Sequence, residues 1–215
     1  MTSSGRFLSR LTLIDDLTRP DHSYLTPDDH CAFIGEYTAR AGFSFSETND
    51  LINNLKKSVD RRHLPDWRYK EQAILKVART LKAIFKAQWL DQTTFVPIPP
   101  SKIKSHSLYD DRLVRILQAV RPEAPLDIRE LIVQIRTTDA AHLQDVRPRP
   151  SEVEENYRVD ETLLLPLPSR VVLFDDVLTT GCHFRAAKVV LRKFYPQMAI
   201  LGLFVARREV GTTDI

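Results

Sequence analysis

The residues of this chain whose order most demands a chemical role stand at 171–184, VVLFDDVLTTGCHF. The apolar run Val171, Val172, Leu173 and Phe174 leads directly into two carboxylates, Asp175 and Asp176. Past Val177 and Leu178 come Thr179, Thr180, Gly181, Cys182 and His183. A strand buried on both faces has no need to end in two acids. Adjacent carboxylates suit sugar hydroxyls or a hydrated Mg2+. A short turn of hydroxyls and glycine feeding a helix offers free N–H groups and the positive end of a helix dipole, which suit a phosphate. A second chemical feature follows TFVPI at 94–98, where Pro99 and Pro100 stiffen a turn and Ser101 and Lys102 place a hydroxyl and a cation beside it. A third is the basic set Arg136, His142, Arg147 and Arg149, in and beside an irregular stretch at 137–168.

The elements that must position these groups are readable from periodicity. Residues 171–174 form a short unbroken apolar run of the kind found in a parallel sheet. Phe184, Ala187, Val190, Leu191 and Phe194 recur at helical steps, so a helix is expected over 182–195, with a further buried strand at 198–206. Strand, turn, helix and strand make one unit, with the acids at the strand's C-terminal end, where open α/β sheets bind ligands. Upstream, the patterns predict a strand at 94–98, a helix over 109–120 and a strand at 132–135.

Before residue 91 the reading is helical. Thr26 with Pro27, Asp28 and Asp29 has the form of a helix start, giving a helix over 26–40; Ser46 opens another to Lys57, and a third spans 65–90. The period over 6–17 is ambiguous. His22, His30 and Cys31 match no standard metal spacing. The basic run Lys56, Lys57, Arg61, Arg62 and His63 reads as a solvated helix end that could also meet a polyanion.

Composition sets the outer limits. With 215 residues, 43% of them hydrophobic, the chain can bury a real core. A net charge of +3 favours anions only mildly and is far below that of a dedicated nucleic-acid binder, so nucleic acid is a weak expectation. Two cysteines far apart indicate neither a disulfide framework nor a zinc ribbon. No run approaches the ~20 apolar residues that cross a bilayer, so a cytoplasmic protein without membrane contact is expected. An apolar run ending in Asp-Asp also describes a Walker B strand. Neither G-x-x-x-x-G-K-[ST] nor G-x-G-x-x-G occurs, so a P-loop or dinucleotide site lacks its phosphate-binding half.

The segment at 171–184 resembles the phosphoribosyl pyrophosphate (PRPP) motif of the type I phosphoribosyltransferases. The run Val96-Pro97-Ile98-Pro99-Pro100-Ser101-Lys102 looks similar to the corresponding loop of their ComF-like branch, and the succession Arg136, Thr138, His142, Leu143, Arg147, Asn156, Tyr157 to a further ComF-like pattern. The resemblance covers about residues 93–206. It implies an α/β fold with a parallel-sheet core over 91–215 and a helical cap or hood over 1–90. It gives Asp175 and Asp176 the ribose hydroxyls, and Leu178, Thr179, Thr180, Gly181, Cys182 and His183 the 5-phosphate. Ser101 and Lys102 receive the pyrophosphate, while Arg136 or an arginine of 137–168 closes over it. Mg2+ is expected through the ligand and Asp175 and Asp176, with no separate metal site on the protein. The family usually ends the phosphate loop in a small residue and then Thr or Ser, where this chain has Cys182 and His183. The activity implied is transfer of a phosphoribosyl group from PRPP to an unidentified nitrogenous acceptor. The alternative is a module that binds PRPP or a nucleotide without turnover, in regulation or DNA processing. A homodimer is compatible with either.

Overall fold

The computed structural model describes Phe7 and residues 10–138 and 148–209. In chain order the elements are β1 (Thr12–Leu13), β2 (Cys31–Thr38), α1 (Glu47–Leu55), α2 (Trp67–Ile84), α3 (Ala87–Asp91), β3 (Thr94–Pro97), α4 (Arg112–Val120), β4 (Asp127–Ile128), β5 (Ile132–Gln134), α5 (Pro150–Glu155), β6 (Tyr157–Val159), β7 (Val171–Leu178), α6 (Cys182–Arg192) and β8 (Ile200–Glu209), with short 3-10 turns between some of them. Six strands form one sheet in the order β1-β2-β8-β7-β3-β4, parallel throughout except for β1. β5 and β6 make a separate antiparallel ribbon. The protein is therefore mixed α/β. Among the described residues no helix is long and apolar enough to cross a membrane.

Alternation along β7 explains the layering. Val172 and Phe174 pack with Leu51, Ile52, Val77, Leu81, Ile116 and Leu117, so α1, α2 and α4 cover one face. Val171 and Leu173 pack with Phe184, Ala187, Leu191 and Tyr157 on the other, beneath α6 and the ribbon. A strand with both faces covered is apolar at every position, which is why its sequence shows a run and not an alternation. The close packing makes truncation costly: Leu191→Ala, at a fully buried position of α6, removes about 2–5 kcal/mol.

The crossovers place the ligand edge. From β2 through α1 and α2 to β3, and from β3 through α4 to β4, the chain advances in one direction along the sheet with helices on one face. From β7 through α6 to β8 it advances the opposite way with its helix on the other face, as a single hand of crossover requires. The direction reverses between β3 and β7. There the outgoing chains part to opposite faces and leave a crevice at the strands' C-terminal ends. Pro97 of β3 pairs with Phe174 of β7, so Asp175 is the first β7 residue past the end of its neighbour.

Several expectations are met in position. The helix opened by Ser46 is there, its hydroxyl accepting from the Asn49 N–H at 3.1 Å. The strand of 171–174 continues to Leu178, and the acids lie within it. Others are corrected. The helix expected over 26–40 is the strand β2, parallel to β8, so residues before 91 supply two strands of the main sheet as well as helices and are not a purely helical cap. The apparent helix start is a turn: Asp29 accepts from both the backbone N–H and the hydroxyl of Thr26, at 2.8 and 2.9 Å. Cys31, Ala32, Phe33 and Ile34 then run buried through the sheet. A four-residue apolar run does not separate buried strand from buried helix by period. The helix expected over 65–90 is two helices parted at Phe85 and Lys86. Within 137–168, residues 150–163 hold α5, β6 and a 3-10 turn; His142, Leu143 and Arg147 lie outside the described residues.

Candidate functional site

Asp175 and Asp176 are adjacent within the C-terminal half of β7 but point to opposite faces, as successive strand residues must. Asp176 faces α4 and α1. Arg112, the first residue of α4, donates from Nε at 2.9 Å and from Nη2 at 2.5 Å to its Oδ2, and the Lys56 ammonium lies 3.2 Å from Oδ1. Burial alone would favour the neutral acid, but Arg112 and then Lys56 outweigh it and hold the Asp176 carboxyl far below the usual carboxylate range. Asp175 lies on the other face, partly exposed, with Oδ1 accepting from the Asp176 N–H at 2.7 Å. Desolvation, and then the charge of Asp176, push its carboxyl well up. Two neighbouring acids thus differ in state, Asp176 ionised and Asp175 inclined to keep its proton.

The turn after β7 is shaped by a strap from the N-terminal part of the chain. His22 is fully buried, and its Nδ1 meets the carbonyl of Thr179. The Tyr24 N–H donates to the carbonyl of Thr180 at 2.9 Å. A trans peptide holds its C=O and N–H on opposite sides. With both carbonyls turned to the strap, the N–H groups of Thr180 and Gly181 point away from it, next to the opening amides of α6. Gly181 takes φ +82°, and a Cβ there would come 2.9 Å from the Leu25 side chain, so only glycine fits. The strap is itself tied down. Arg207 of β8 bridges Asp21 at 2.8 Å and Glu36 at 2.6 Å, and Lys188 of α6 reaches the buried Asp29 at 2.5 Å. Burial lowers the His22 pKa, so the imidazole is neutral, and facing a carbonyl it carries its proton on Nδ1.

The side chains of the turn divide by role. Leu178 and Cys182 are buried in the core, and burial pushes the Cys182 thiol up to about 11, so these two offer backbone only. Thr179 is exposed and Thr180 half-buried. His183 is half-buried, and its Nδ1 lies 2.9 Å from the phenol of Tyr157, whose burial keeps it protonated. Burial also lowers the His183 pKa, so the ring is neutral. A phenol donating to Nδ1 leaves the ring N–H on Nε2. Asp175, Thr179, Gly181 and His183 line a cleft of only about 10 Å³, so a ligand meets these groups at its mouth.

Ser101 and Lys102 follow β3 on the same sheet edge. The Ile98 N–H still donates to Phe174 O, three residues before Ser101. The bonds that fix this loop run to 137–138: the Thr138 N–H donates to Ser101 O at 2.8 Å, and Lys102 Nζ to Thr138 O at 3.0 Å. Arg136 is exposed. Its backbone N–H and C=O are both held by the Asn156 amide, at 2.9 Å each. The fold brings Asp175 and the 179–183 turn into one cleft, sets Asp176 on the other face of β7, and ties the loop of Ser101 and Lys102 to residues 137–138 beside Arg136.

Lys56, Arg112 and His22 are given no role by a sequence reading because each reaches the site from a distant segment, and Tyr157 enters it only as the last member of the succession from Arg136. Lys56 stands in a run that reads as a solvated helix end, and Arg112 reads as a polar position between the apolar residues of α4.

Mg2+ binds through carboxylate oxygens, phosphate and water in octahedral geometry. Arg112 and Lys56 cover both oxygens of Asp176, and the neighbouring N–H covers one of Asp175. The residues as placed do not fit a Mg2+ held at the acid pair. Compared with known proteins, the sequence matches no family model and none of the curated proteins.

Proposed function

We propose that this protein binds a phosphoribosyl ligand of the PRPP type at the crevice between β3 and β7 and transfers its phosphoribosyl group to a nitrogenous acceptor, as in a type I phosphoribosyltransferase core. One observation carries the reading. The N–H groups of Thr180 and Gly181, turned outward because His22 and Tyr24 hold the carbonyls of Thr179 and Thr180, follow the end of the strand that carries Asp175. Phosphate would bind these amides, those opening α6 and the Nε2–H of His183. Ribose hydroxyls would meet Asp175. Ser101, Lys102 and Arg136 would face the pyrophosphate.

In the reaction the C1–O bond to pyrophosphate breaks and its electron pair leaves with pyrophosphate, while the acceptor nitrogen's lone pair forms the C1–N bond. Charge developing on the ring would be stabilised electrostatically by Asp175 in its ionised form, with no covalent nucleophile required. Any Mg2+ would travel on the ligand's own pyrophosphate oxygens.

A second reading is favoured by the grip of Arg112 and Lys56 on Asp176, which leaves one acid of the pair committed within the protein. The same pocket then binds PRPP or a nucleotide without turnover, as a regulatory module. Titration with PRPP and assay of released pyrophosphate against a panel of bases separates the two. Release marks a transferase and binding alone a module. A folded Asp175→Asn/Asp176→Asn variant with unaltered PRPP affinity removes the acid pair from the site.

A further inference from the structure

The contacts around Asp176 close into a ring. Arg112 joins Asp176 to Asp110, with Nη1 2.9 Å from Asp110 Oδ2. The same oxygen takes the ammonium of Lys70 at 2.6 Å. Lys70 is fully buried, and its Nζ also donates to the carbonyl of Lys57 at 2.8 Å. That bond fixes the backbone where α1 ends, and the adjacent residue, Lys56, returns to Asp176 at 3.2 Å. Lys57 is fastened too, its Nζ donating to Asp66 O at 3.0 Å. A buried lysine bonded to the main chain beside Lys56 is a positioning device and not the chance end of a solvated helix. The Lys56 side chain is still 41% exposed, against 5% for Asp176, so this ammonium sits between a buried carboxylate and solvent.

The ring sets three basic side chains, Lys56, Lys70 and Arg112, against two acidic ones, Asp110 and Asp176. The surplus positive charge faces outward on Lys56, beside the acid at which a metal-borne ligand would need a cation.

Resting on the phosphoribosyl reading above, we propose that Lys56 is the site's own cation: it occupies at Asp176 the place of a hydrated divalent metal, so the protein receives an anionic phosphoribosyl ligand without Mg2+. The N-terminal part of the chain thereby sets the metal requirement of the pocket. The ligand class is a phosphorylated sugar carrying a second anionic group on its anomeric side.

The test is calorimetric titration of the full chain with PRPP, in EDTA and in excess Mg2+, for the wild type, Lys56→Ala and Lys56→Arg, with circular dichroism as a fold control. The wild type is expected to bind with affinities within about threefold in the two conditions, less than one lost charge contact. Lys56→Ala is expected to lose about tenfold or more in EDTA and to regain much of it with Mg2+, while Lys56→Arg keeps metal-free binding. Wild-type binding that vanishes in EDTA overturns the inference and leaves the phosphoribosyl reading intact. So does a folded Lys56→Ala variant with unchanged affinity in EDTA. A wild type that binds PRPP in neither condition overturns both.

Discussion

Arg112 holds Asp176 with two nitrogens on one oxygen, Nε at 2.9 Å and Nη2 at 2.5 Å, and so binds the start of α4 to the end of β7. The pair is nearly closed to solvent, its side chains 15% and 5% exposed. Removing one member of a buried ion pair leaves the other charge without compensation, whereas removing both costs far less. Arg112→Leu is expected to destabilise the fold by about 3–5 kcal/mol, read as a lower urea midpoint at unchanged slope. Asp176→Asn added to Arg112→Leu should recover part of that loss. Additive losses would show that the two side chains do not act as a pair.

The state of Asp175 gives a pH signature. Its folded pKa is raised, by desolvation first and then by Asp176, so the folded protein keeps a proton that the unfolded chain releases. Stability linked to this group therefore falls as the pH rises above the ordinary carboxylate range towards the raised value. Lys56, Arg112, Asp176, Tyr157 and His183 surround it and contribute to the same field. Asp175→Asn should already be stabilising at pH 5 and more so at pH 8, the gain growing by roughly 1 kcal/mol or more between the two. Equal effects at the two pH values would mean that Asp175 is ionised throughout. Asp176, its pKa depressed, behaves oppositely: its contribution is present above the ordinary carboxylate range and lost only on strong acidification.

On the proposed reading, His22 braces the 179–183 turn through Thr179 O without touching the ligand. Asn can present an N–H close to the position of Nδ1, whereas Leu fills space and donates nothing. His22→Asn is expected to keep most phosphate-ligand affinity, and His22→Leu to lose about five- to tenfold, one hydrogen bond's worth of order. Affinity is compared at temperatures where both variants are folded. Equal affinities for the two would leave His22 a packing residue only.

Legibility followed locality. The parallel-sheet unit from Val171 to Glu209 was readable because run, acids, turn and amphipathic helix lie within forty residues and each signal agrees with the next. β2 was not readable. Thr26, Pro27 and Asp29 carry the residue types of a helix start, but Asp29 turns to Thr26 and Lys188, and the Cys31-to-Ile34 run is decided by its pairing with β8. In the site, Asp175, Asp176 and the 179–183 turn could be named from order alone. The brace at His22 and the ring through Lys70 depend on contacts across 157 and 40 residues of chain, which no local pattern records.

The central claim, that phosphate is held by the amides of the turn after β7, is tested most directly by backbone amide NMR during titration with PRPP. At saturation the largest shifts are expected at Thr180, Gly181, Cys182 and His183, with a smaller response at Asp175. Saturable PRPP binding that leaves those amides unmoved would contradict the account.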